Sequence, residues 1–489
     1  MQVAADSLQP ALELSLAQRW IDTDPRGIDA LRAAATAALS LDEIAQSAAY
    51  YRKIIIRAPG GVEAAFGALT LGIGDAEDIH GARQVADRLT AYFPGSAAAL
   101  RLQGYAALRA DDPAAAVHSF TAALPGTDGA ARRELIDALR RARVLAGDAA
   151  APLAESLAEV ERTHAPADRF DYALLLIAAK RDAQARVQLH ELLRVPQFTA
   201  QARRILGLMD FHAGDYNAAR RQFGALLSSG RYLDDAFYYL GLIAERHGDL
   251  ERAIRNYARV QDGDEAVPAL LRAAAILHAH GAAATADPLL DQLLAEQPAY
   301  APEILAARAD IDMQSGAAQR ALDLLDRAIQ RYPDSAELHY ARASLNDERG
   351  HLGAALRELT AILKARPTDP VAMNALGYTL ADHGRHLSYA RKLIERAHAA
   401  APKDAAIGDS LGWVLYRQGH AAEALAYLTS AYADEPGGDI GAHLGEVLWQ
   451  RGRHTQAEHI WLQAAAIDPD DRLLRATRDR LRAMSATGG

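Results

Sequence analysis

The clearest candidate for chemistry is a serine between two glycines, because Gly408, Ser410 and Gly412 spell the pattern G-x-S-x-G. In hydrolases that pattern places a nucleophilic serine on a sharp turn between a strand and a helix. Here the residues on both sides of the serine have a helical pattern, and Gly412 stands where two helices must pack closely. We therefore predict that Ser410 lies inside a helix and is not a nucleophile.

Other patterns typical of catalytic or metal sites are incomplete. The stretch Gly72-Ile73-Gly74 is predicted to be a turn and not a dinucleotide loop, because no strand precedes it. His278 and His280 are two residues apart and fall on different faces of a helix, which disfavours a shared metal ion. The chain has no HExxH motif, no Walker A motif and no cysteine, which excludes disulfides, thiolate metal sites and cysteine nucleophiles. We predict a protein that is not an enzyme, with no cofactor and no metal.

The composition favours closely packed helices. Of the 489 residues, 50% are hydrophobic but only 6% are aromatic, and alanine supplies much of the apolar content. The net charge is -10, and no cluster of Lys and Arg of the kind that binds nucleic acid is present. No apolar run is long enough to cross a membrane. We predict no nucleic-acid partner and no membrane span, and the acidic balance favours basic partners.

Two ladders of punctuating residues share one period of about 34 residues. Glycines recur at Gly214, Gly248, Gly281, Gly316, Gly350, Gly384, Gly419 and Gly452. Prolines recur in a different phase at Pro298, Pro333, Pro367, Pro402, Pro436 and Pro469. Glycine is favoured where a helix ends in left-handed backbone, and proline stops a helix. Two independent ladders with one period therefore predict a repeated pair of helices.

The stretch from Ala405 to Pro436 shows this repeat most completely. Counted from Ala405, it has Leu411 at place 7, Gly412 at place 8, Gly419 at place 15, Ala424 at place 20, Ala431 at place 27 and Pro436 at place 32. This arrangement resembles the tetratricopeptide repeat (TPR), a helix-turn-helix unit. The resemblance implies an all-α fold, a TPR α-solenoid in which helical hairpins stack into a right-handed superhelix with a concave groove.

The regularity of the repeats divides the chain into three parts. Residues 1–199 are predicted to be degenerate TPR-like helical repeats, with a pair of helices from Asp171 to Leu193. Residues 200–469 are predicted to be a regular TPR array. Residues 470–489 are predicted to be a C-terminal capping helix and tail, because a charged helix from Asp470 to Ser485 would present a polar outer face.

A second stripe on each first helix, at places 2, 5, 9 and 12 of the repeat, follows helical spacing and is not used for packing. The TPR resemblance implies that this stripe lines the groove. In the last repeats it is rich in rings and carboxylates, which would hold a peptide by ring contacts and by pairing with its basic groups. The candidate protein-binding residues in and next to this stripe are Tyr340, Asp347, Asn374, Tyr378, Asp382, Asp409, Trp413, Tyr416, Glu446 and Trp449.

Another interpretation of the same stripe stays open. The rings could pack between repeats, as aromatic residues in helical stripes usually do, and the carboxylates could form a solvated face. A carboxylate clamp, in which Lys and Asn side chains grip the C-terminal carboxylate of a peptide, is disfavoured because Asn374 is the only match in the last four units. The predicted partners are therefore proteins or extended peptides.

The block from Met373 to Pro469 carries a closer resemblance. Its phrases NALGYTLAD, DSLGWVLYR and AHLGEVLWQ are similar to those of a family of proteobacterial TPR outer-membrane lipoproteins. Characterised members are adaptors that bind a periplasmic carboxyl-terminal processing protease and bring it cell-wall hydrolases for degradation. The resemblance implies an adaptor with these partners, in the periplasm or at the periplasmic face of the Gram-negative outer membrane.

The chain departs from that family at its start. The lipoproteins have an export signal that ends in a lipid-modified cysteine, whereas the first residues here, MQVAADSLQPALELS, lack the basic and apolar regions of a signal peptide. We therefore expect no lipid anchor within this chain. The alternative functions are a TPR scaffold for another envelope polysaccharide or secretion assembly, or a cytoplasmic protein-interaction hub. An enzyme with the repeats as an appendage is disfavoured, because repeats fill nearly the whole chain.

Overall fold

The computed structural model describes residues 10–25, 27–74, 78–467 and 471–487. The helices of the first half are α1 (Pro10–Thr23), α2 (Ile28–Ser40), α3 (Ile44–Arg57), α4 (Gly61–Gly74), α5 (Ile79–Tyr92), α6 (Ala97–Arg109), α7 (Pro113–Ala123), α8 (Gly129–Leu145), α9 (Ala150–Thr163), α10 (Pro166–Ala178), α11 (Asp182–Leu192), α12 (Pro196–His212), α13 (Tyr216–Ser229) and α14 (Leu233–Arg246). Those of the second half are α15 (Leu250–Tyr257), α16 (Ala266–Ala279), α17 (Ala283–Glu296), α18 (Ala301–Gln314), α19 (Ala318–Arg331), α20 (Ala336–Glu348), α21 (Leu352–Ala365), α22 (Pro370–Asp382), α23 (Leu387–Ala400), α24 (Ala405–Arg417), α25 (Ala421–Asp434), α26 (Gly438–Gln450), α27 (His454–Ile467) and α28 (Arg472–Thr487). Only helical elements, two of them short 3-10 turns, occur in these described ranges, which confirms the predicted all-α fold.

The chain forms two compact units. The N-terminal unit comprises Met1–Leu277 with Ala283–Tyr300, and the C-terminal unit comprises His278–Ala282 with Ala301–Gly489. All the candidate protein-binding residues belong to the C-terminal unit. The predicted division at residue 199 concerns the regularity of the repeats, not compactness, and it stays a prediction.

The two ladders mark the ends of helices, as predicted. The turn glycines of the C-terminal unit, such as Gly384 and Gly419, have φ angles of 63° and 90°, in the left-handed region that favours glycine. Each of Pro333, Pro367 and Pro402 follows the last residue of a second helix by two positions. Pro469, the last member of the proline ladder, lies outside the described residues. The local chemistry of these two residue types therefore sets the length of each hairpin.

Glycines in the first helices let the second helices approach closely. A Cβ added to Gly412 in α24 would lie 2.6 Å from Cγ of Leu428 in α25. A Cβ added to Gly445 in α26 would overlap the indole of Trp461 in α27. Leu428 and Trp461 are both buried, so neither has room to move away. Glycine at these positions is therefore a packing requirement of the C-terminal hairpins.

The C-terminal capping helix is present, and it begins at Arg472 as α28. Asp470, where the prediction placed its start, lies outside the described residues, and Asp471 accepts a hydrogen bond from the backbone N–H of Leu474. The helix buries Leu474 and Leu481 in the core of the C-terminal unit. At its N-terminus the Arg472 guanidinium donates to the carbonyl oxygen of Gln314 in α18 over 3.2 Å, so the cap also contacts the first hairpin of the same unit.

Two local predictions in the N-terminal unit were wrong. The stretch from Gly72 to Gly74 is not a turn but the last part of α4, because the apolar residues before it continue the helix and glycine is favoured where a helix ends. The helix pair predicted to start at Asp171 starts earlier, at Pro166 in α10. Proline is well suited to the first position of a helix, where its missing N–H costs nothing.

The packing of Gly412 gives a matched test within one helix. We expect Gly412→Ala to lower the free energy of unfolding by about 1–3 kcal/mol, because the new Cβ overpacks the contact with Leu428. Gly408→Ala, one helical turn earlier, should be neutral or stabilising by up to about 1 kcal/mol, since the nearest atom to its Cβ is 3.7 Å away. Urea unfolding followed by tryptophan fluorescence measures both variants. Equal stabilities would contradict the repeat register.

Candidate functional site

The candidate residues lie on the first helices of four successive repeats, which are α20, α22, α24 and α26. Six of them contact one another directly or through a single intermediate side chain: Tyr378, Asp382, Asp409, Trp413, Tyr416 and Glu446. We call the surface formed by the first helices α20, α22, α24 and α26 the first-helix face. Side chains from different repeats contact one another on this face, so their relative positions are fixed.

A buried histidine that the repeat pattern did not single out lies at the centre of this arrangement. Nδ1 of His443 in α26 lies 2.8 Å from Oδ2 of Asp409 in α24. The imidazole stacks on Trp413 with 4.2 Å between ring centroids, and its Nε2 lies 3.4 Å from the hydroxyl of Tyr378 in α22. His443 is 3% exposed and Asp409 is 5% exposed. Three first helices therefore meet at one imidazole.

The charge state of His443 follows from its surroundings. Burial alone would lower the pKa of the imidazole, but the attraction and hydrogen bond of Asp409 outweigh burial and raise the pKa above its usual value. Asp382 and Asp439 add to this increase. The same carboxylates act on Tyr378, where burial first and then Asp382 and Asp409 raise the pKa of the hydroxyl. The raised pKa favours the protonated form of this buried imidazole beside Asp409.

Trp413 is held on its edge as well as on its face. Its indole N–H donates to Oδ1 of Asp382 over 3.1 Å, which links α24 to α22. The guanidinium of Arg417 lies 5.6 Å from the centroid of the Trp413 ring and also donates to the backbone carbonyl of Asp382. Trp413 is only 6% exposed, whereas Asp382 is exposed. The ring therefore supports the face, and the carboxylate lies at its surface.

The capping helix completes the face at its other end. The Tyr416 hydroxyl donates to Oε1 of Glu446 over 3.3 Å, and Arg480 from α28 donates to Oε2 of the same carboxylate. Burial, and then the neighbouring Glu446, raise the pKa of Tyr416 to about 12. Glu446 is itself buried, so Arg480 provides the charge partner that a buried carboxylate requires.

The remaining candidates lie apart from this arrangement. Trp449 is half-buried and stacks on His454 with 4.3 Å between ring centroids. Asp347 is paired with His383, whose Nε2 lies 2.7 Å away. Tyr340 and Asn374 are half-buried, and Tyr340 packs against the core of the C-terminal unit. The role of these and the other candidate residues in binding stays a prediction.

His443 and Arg480 were missed for a physical reason. The helical stripe assumes that one side of each first helix faces open space, but α26 is buried without interruption from Ile440 to Leu448. The glycines of α26 gave no signal for this burial, because Gly441 and Gly445 both face α27, the side that the repeat already uses for packing. Arg480 comes from the capping helix, which the repeat pattern cannot place.

Ser410, the serine of the G-x-S-x-G pattern, lies in the interior of a helix. Ser410 lies in the middle of α24, is 4% exposed, and donates its hydroxyl to the carbonyl oxygen of Ala406 over 2.9 Å. This confirms that it is not the turn between a strand and a helix that a nucleophile needs. His278 lies at the end of α16, whereas His280 follows in the turn.

Within residues 10–25, 27–74, 78–467 and 471–487, no group of three or more His, Asp or Glu side chains is placed to hold a metal ion. None of the helices in those ranges has the length and apolar character needed to cross a bilayer.

The buried pair of His443 and Asp409 should make stability depend on pH. The folded protein holds the imidazole proton more tightly than the unfolded chain, so the free energy of unfolding falls as pH rises above about 6.5. We expect Asp409→Asn to lower stability by about 3 kcal/mol at about pH 6, and to flatten this fall between about pH 6 and pH 8. Urea unfolding at both pH values measures it.

The control for that experiment is Asp347→Asn, which removes the carboxylate of the more exposed pair with His383. It should change stability by less than about 1 kcal/mol, because such pairs contribute little. An Asp409→Asn protein with the same pH dependence as the wild type would contradict the charged state of His443.

Comparison with known proteins identifies the repeat. Two sequence models, both described as tetratricopeptide repeat, match the chain, one at residues 74–131, 210–268 and 410–472 and the other at residues 312–377. The chain is 36% identical over 214 residues to the TPR repeat-containing protein PA4667 of Pseudomonas aeruginosa, which covers 44% of this chain and 36% of that protein. It is 35% identical over 102 residues to bacteriophage adsorption protein A of Escherichia coli. This aligned region covers 21% of this chain and 10% of that protein. The matched segment thus spans about a third or less of each of these two relatives.

Solved TPR structures are also similar. The thermophilic TPR protein TTC0263 of Thermus thermophilus matches 37% of this chain and 99% of its own at 22% identity, with a TM-score of 0.33. A tetratricopeptide repeat protein from Parabacteroides merdae matches 60% of this chain and 98% of its own at 15% identity, with a TM-score of 0.34. The repeat matches in both units, together with helical hairpins that end at the glycine and proline ladders, show that this chain belongs to the tetratricopeptide-repeat proteins and has an all-α TPR solenoid fold.

Proposed function

We propose that this chain is a non-enzymatic adaptor that binds proteins or extended peptides and delivers cell-wall hydrolases to a periplasmic carboxyl-terminal processing protease. The repeat fold supports the general part of this proposal, because TPR solenoids generally act as scaffolds that bind proteins or peptides. The resemblance of Met373–Pro469 to the lipoprotein adaptors supports the specific part. That block falls on α22 to α27, the helices that carry most of the first-helix face.

The observation that carries the proposal is the ordered first-helix face. Trp413, Tyr378 and His443 are fixed by contacts to one another beneath the surface, and Trp413 donates to the exposed Asp382, so a partner meets a carboxylate that is already held in place. A preorganised surface binds more tightly because little conformational entropy is lost on association. Such an arrangement is more than a repeat needs for its own stability, since a core of apolar residues alone would stabilise it.

The chemistry of the surface favours a basic segment of the partner. The carboxylates of Asp382 and Asp439 belong to exposed residues of α22 and α26. The half-buried ring of Tyr416 lies 5.3 Å, centroid to centroid, from Trp413, which donates to Asp382. A Lys or Arg side chain placed there would pair with a carboxylate and contact the ring edge. The net charge of -10 would add long-range attraction for a basic partner.

The proposed location is the periplasm or the periplasmic face of the Gram-negative outer membrane. It follows from the proposed partners, because the processing protease and the cell-wall hydrolases act in that compartment. The absence of catalytic chemistry in the proposal rests on Ser410, whose hydroxyl is engaged inside α24, and on repeats that match in both units.

The test uses the purified chain as bait in an envelope extract of the source bacterium. We expect the wild type to recover a processing protease and cell-wall hydrolases, identified by mass spectrometry. The variant Asp382→Asn/Asp439→Asn should recover about tenfold less, because two interface charges are lost. Asparagine at 382 still accepts the indole hydrogen bond of Trp413, so the face keeps its structure.

The matched control is Asp434→Asn/Glu435→Gln, which removes the same charge from exposed residues at the end of α25. It should recover both partners as the wild type does. Equal losses in the two variants would show only a general charge effect. Recovery of neither the protease nor the hydrolases by the wild type would sink the adaptor role.

A further inference from the structure

The turns that join the first and second helices of the last three hairpins are rich in cations. These turns, residues 383–386, 418–420 and 451–453, contain no Asp or Glu. We call them, with the helix residues that flank them, the basic edge of the C-terminal unit. Its cationic and titratable side chains are His383, Arg385, His386, Arg417, His420, Arg451, Arg453 and His454. This edge stands out in a chain whose net charge is -10.

The equivalent turns of the N-terminal unit have a different charge. They end in Asp112, Asp215 and Asp249, whose carboxylates accept hydrogen bonds from the backbone of the following helix. In the C-terminal unit His386 and His420 occupy that place and make no such bond. Carboxylates outside the turns pair with three members of the edge, His383 with Asp347, Arg417 with Asp382 and His420 with Glu423. No carboxylate within the turns neutralises the other cations.

A cleft of about 720 Å³ opens on this edge between the start of α23 and the end of α24. Three permanent cations, Arg391, Lys392 and Arg417, line it together with a single carboxylate, Glu395. Glu395 accepts from Nε of Arg391 over 2.7 Å, and Arg417 lies 3.7 Å from Oδ1 of Asp382, which leaves Lys392 as the cation of the cleft without a carboxylate partner. Arg417 lies against the Trp413 ring, so the cleft is next to the first-helix face but separate from it.

Lys392 and Arg385 are the free cations of this region. Both side chains are exposed, and neither side chain makes a hydrogen bond or ion pair with any residue that the structure describes. Arg417, by contrast, is half-buried and oriented by the backbone of Asp382. The cleft thus combines the fixed guanidinium of Arg417 with the exposed ammonium group of Lys392, and Arg385 adds an exposed cation in the turn before α23.

We propose that this cleft and the basic edge around it bind an acidic segment of a partner protein, in addition to the basic segment proposed for the first-helix face. Carboxylates fit the site because Arg pairs with them in planar, two-point geometry and Lys adds a point charge.

The surroundings favour a short acidic segment over an extended polyanion. Asp382 and Asp439 are exposed on the adjacent first-helix face, and they would repel the long row of phosphates of a nucleic acid or of a charged membrane surface. One or two carboxylates need only the cleft. The two surfaces have opposite charge, so one partner with both a basic and an acidic segment would be fixed in a single orientation.

The experiment measures the anisotropy of a fluorescein-labelled glutamate-rich peptide, with the glutamine version of the same peptide as comparison. We expect the wild type to bind the glutamate peptide, and binding to weaken between about 50 mM and about 500 mM NaCl. The variant Arg385→Glu/Lys392→Glu should bind about tenfold more weakly, and Arg385→Lys/Lys392→Arg should bind as the wild type does.

The matched control is Arg357→Glu/Lys364→Glu, the same charge reversal at exposed residues of α21, a second helix of the same unit. It should leave peptide binding unchanged. Three results would overturn the proposal: equal affinity for the glutamate and glutamine peptides, equal loss in the control variant, or stronger binding to phosphatidylglycerol vesicles than to the peptide. The comparison of the two peptides uses the wild type alone, without protease or hydrolase. A negative result would therefore count against the acidic-segment site and not against the adaptor role.

Discussion

The close approach of the two helices in each hairpin, which leaves no room for a Cβ at Gly412 or Gly445, is the constraint on which the C-terminal unit depends. Close packing gains dispersion and buries apolar surface, and it also fixes the distance between successive first helices. At that distance side chains from α22, α24 and α26 meet at His443. A larger residue at either glycine would separate the helices and break contacts several residues away.

The buried charges on the first-helix face have a different role from the apolar core. A buried ion pair such as His443 and Asp409 adds little net stability, because desolvation offsets most of its attraction. Leaving one partner alone would be costly, so each hairpin is stable only in the register that pairs them. The same reasoning applies to Glu446 and Arg480, which tie the capping helix to the last hairpin. Register is therefore specified twice, by glycine packing and by buried charge.

The sequence predicted the period, the helix ends and the fold class, because glycine and proline act through their own backbone geometry. It did not predict His443, although Asp409 stands 34 residues earlier, one repeat away. The stripe on one helix describes which side chains share a side, but not whether that side is open. Trp413 shows the difference, since it lies in the predicted stripe and is buried by its neighbours. The error at Gly72–Gly74 has the opposite cause, because a glycine pair inside an apolar stretch can end a helix as well as form a turn.

The adaptor role is tested most directly with purified components. The measurement is the rate at which a carboxyl-terminal processing protease from the source bacterium degrades a cell-wall hydrolase, with and without this chain. An adaptor that holds both proteins raises their effective concentration, so we expect the chain to increase the rate at least about tenfold at low protein concentration. An unchanged rate, with no complex formed between the chain and either protein, would contradict the proposed function.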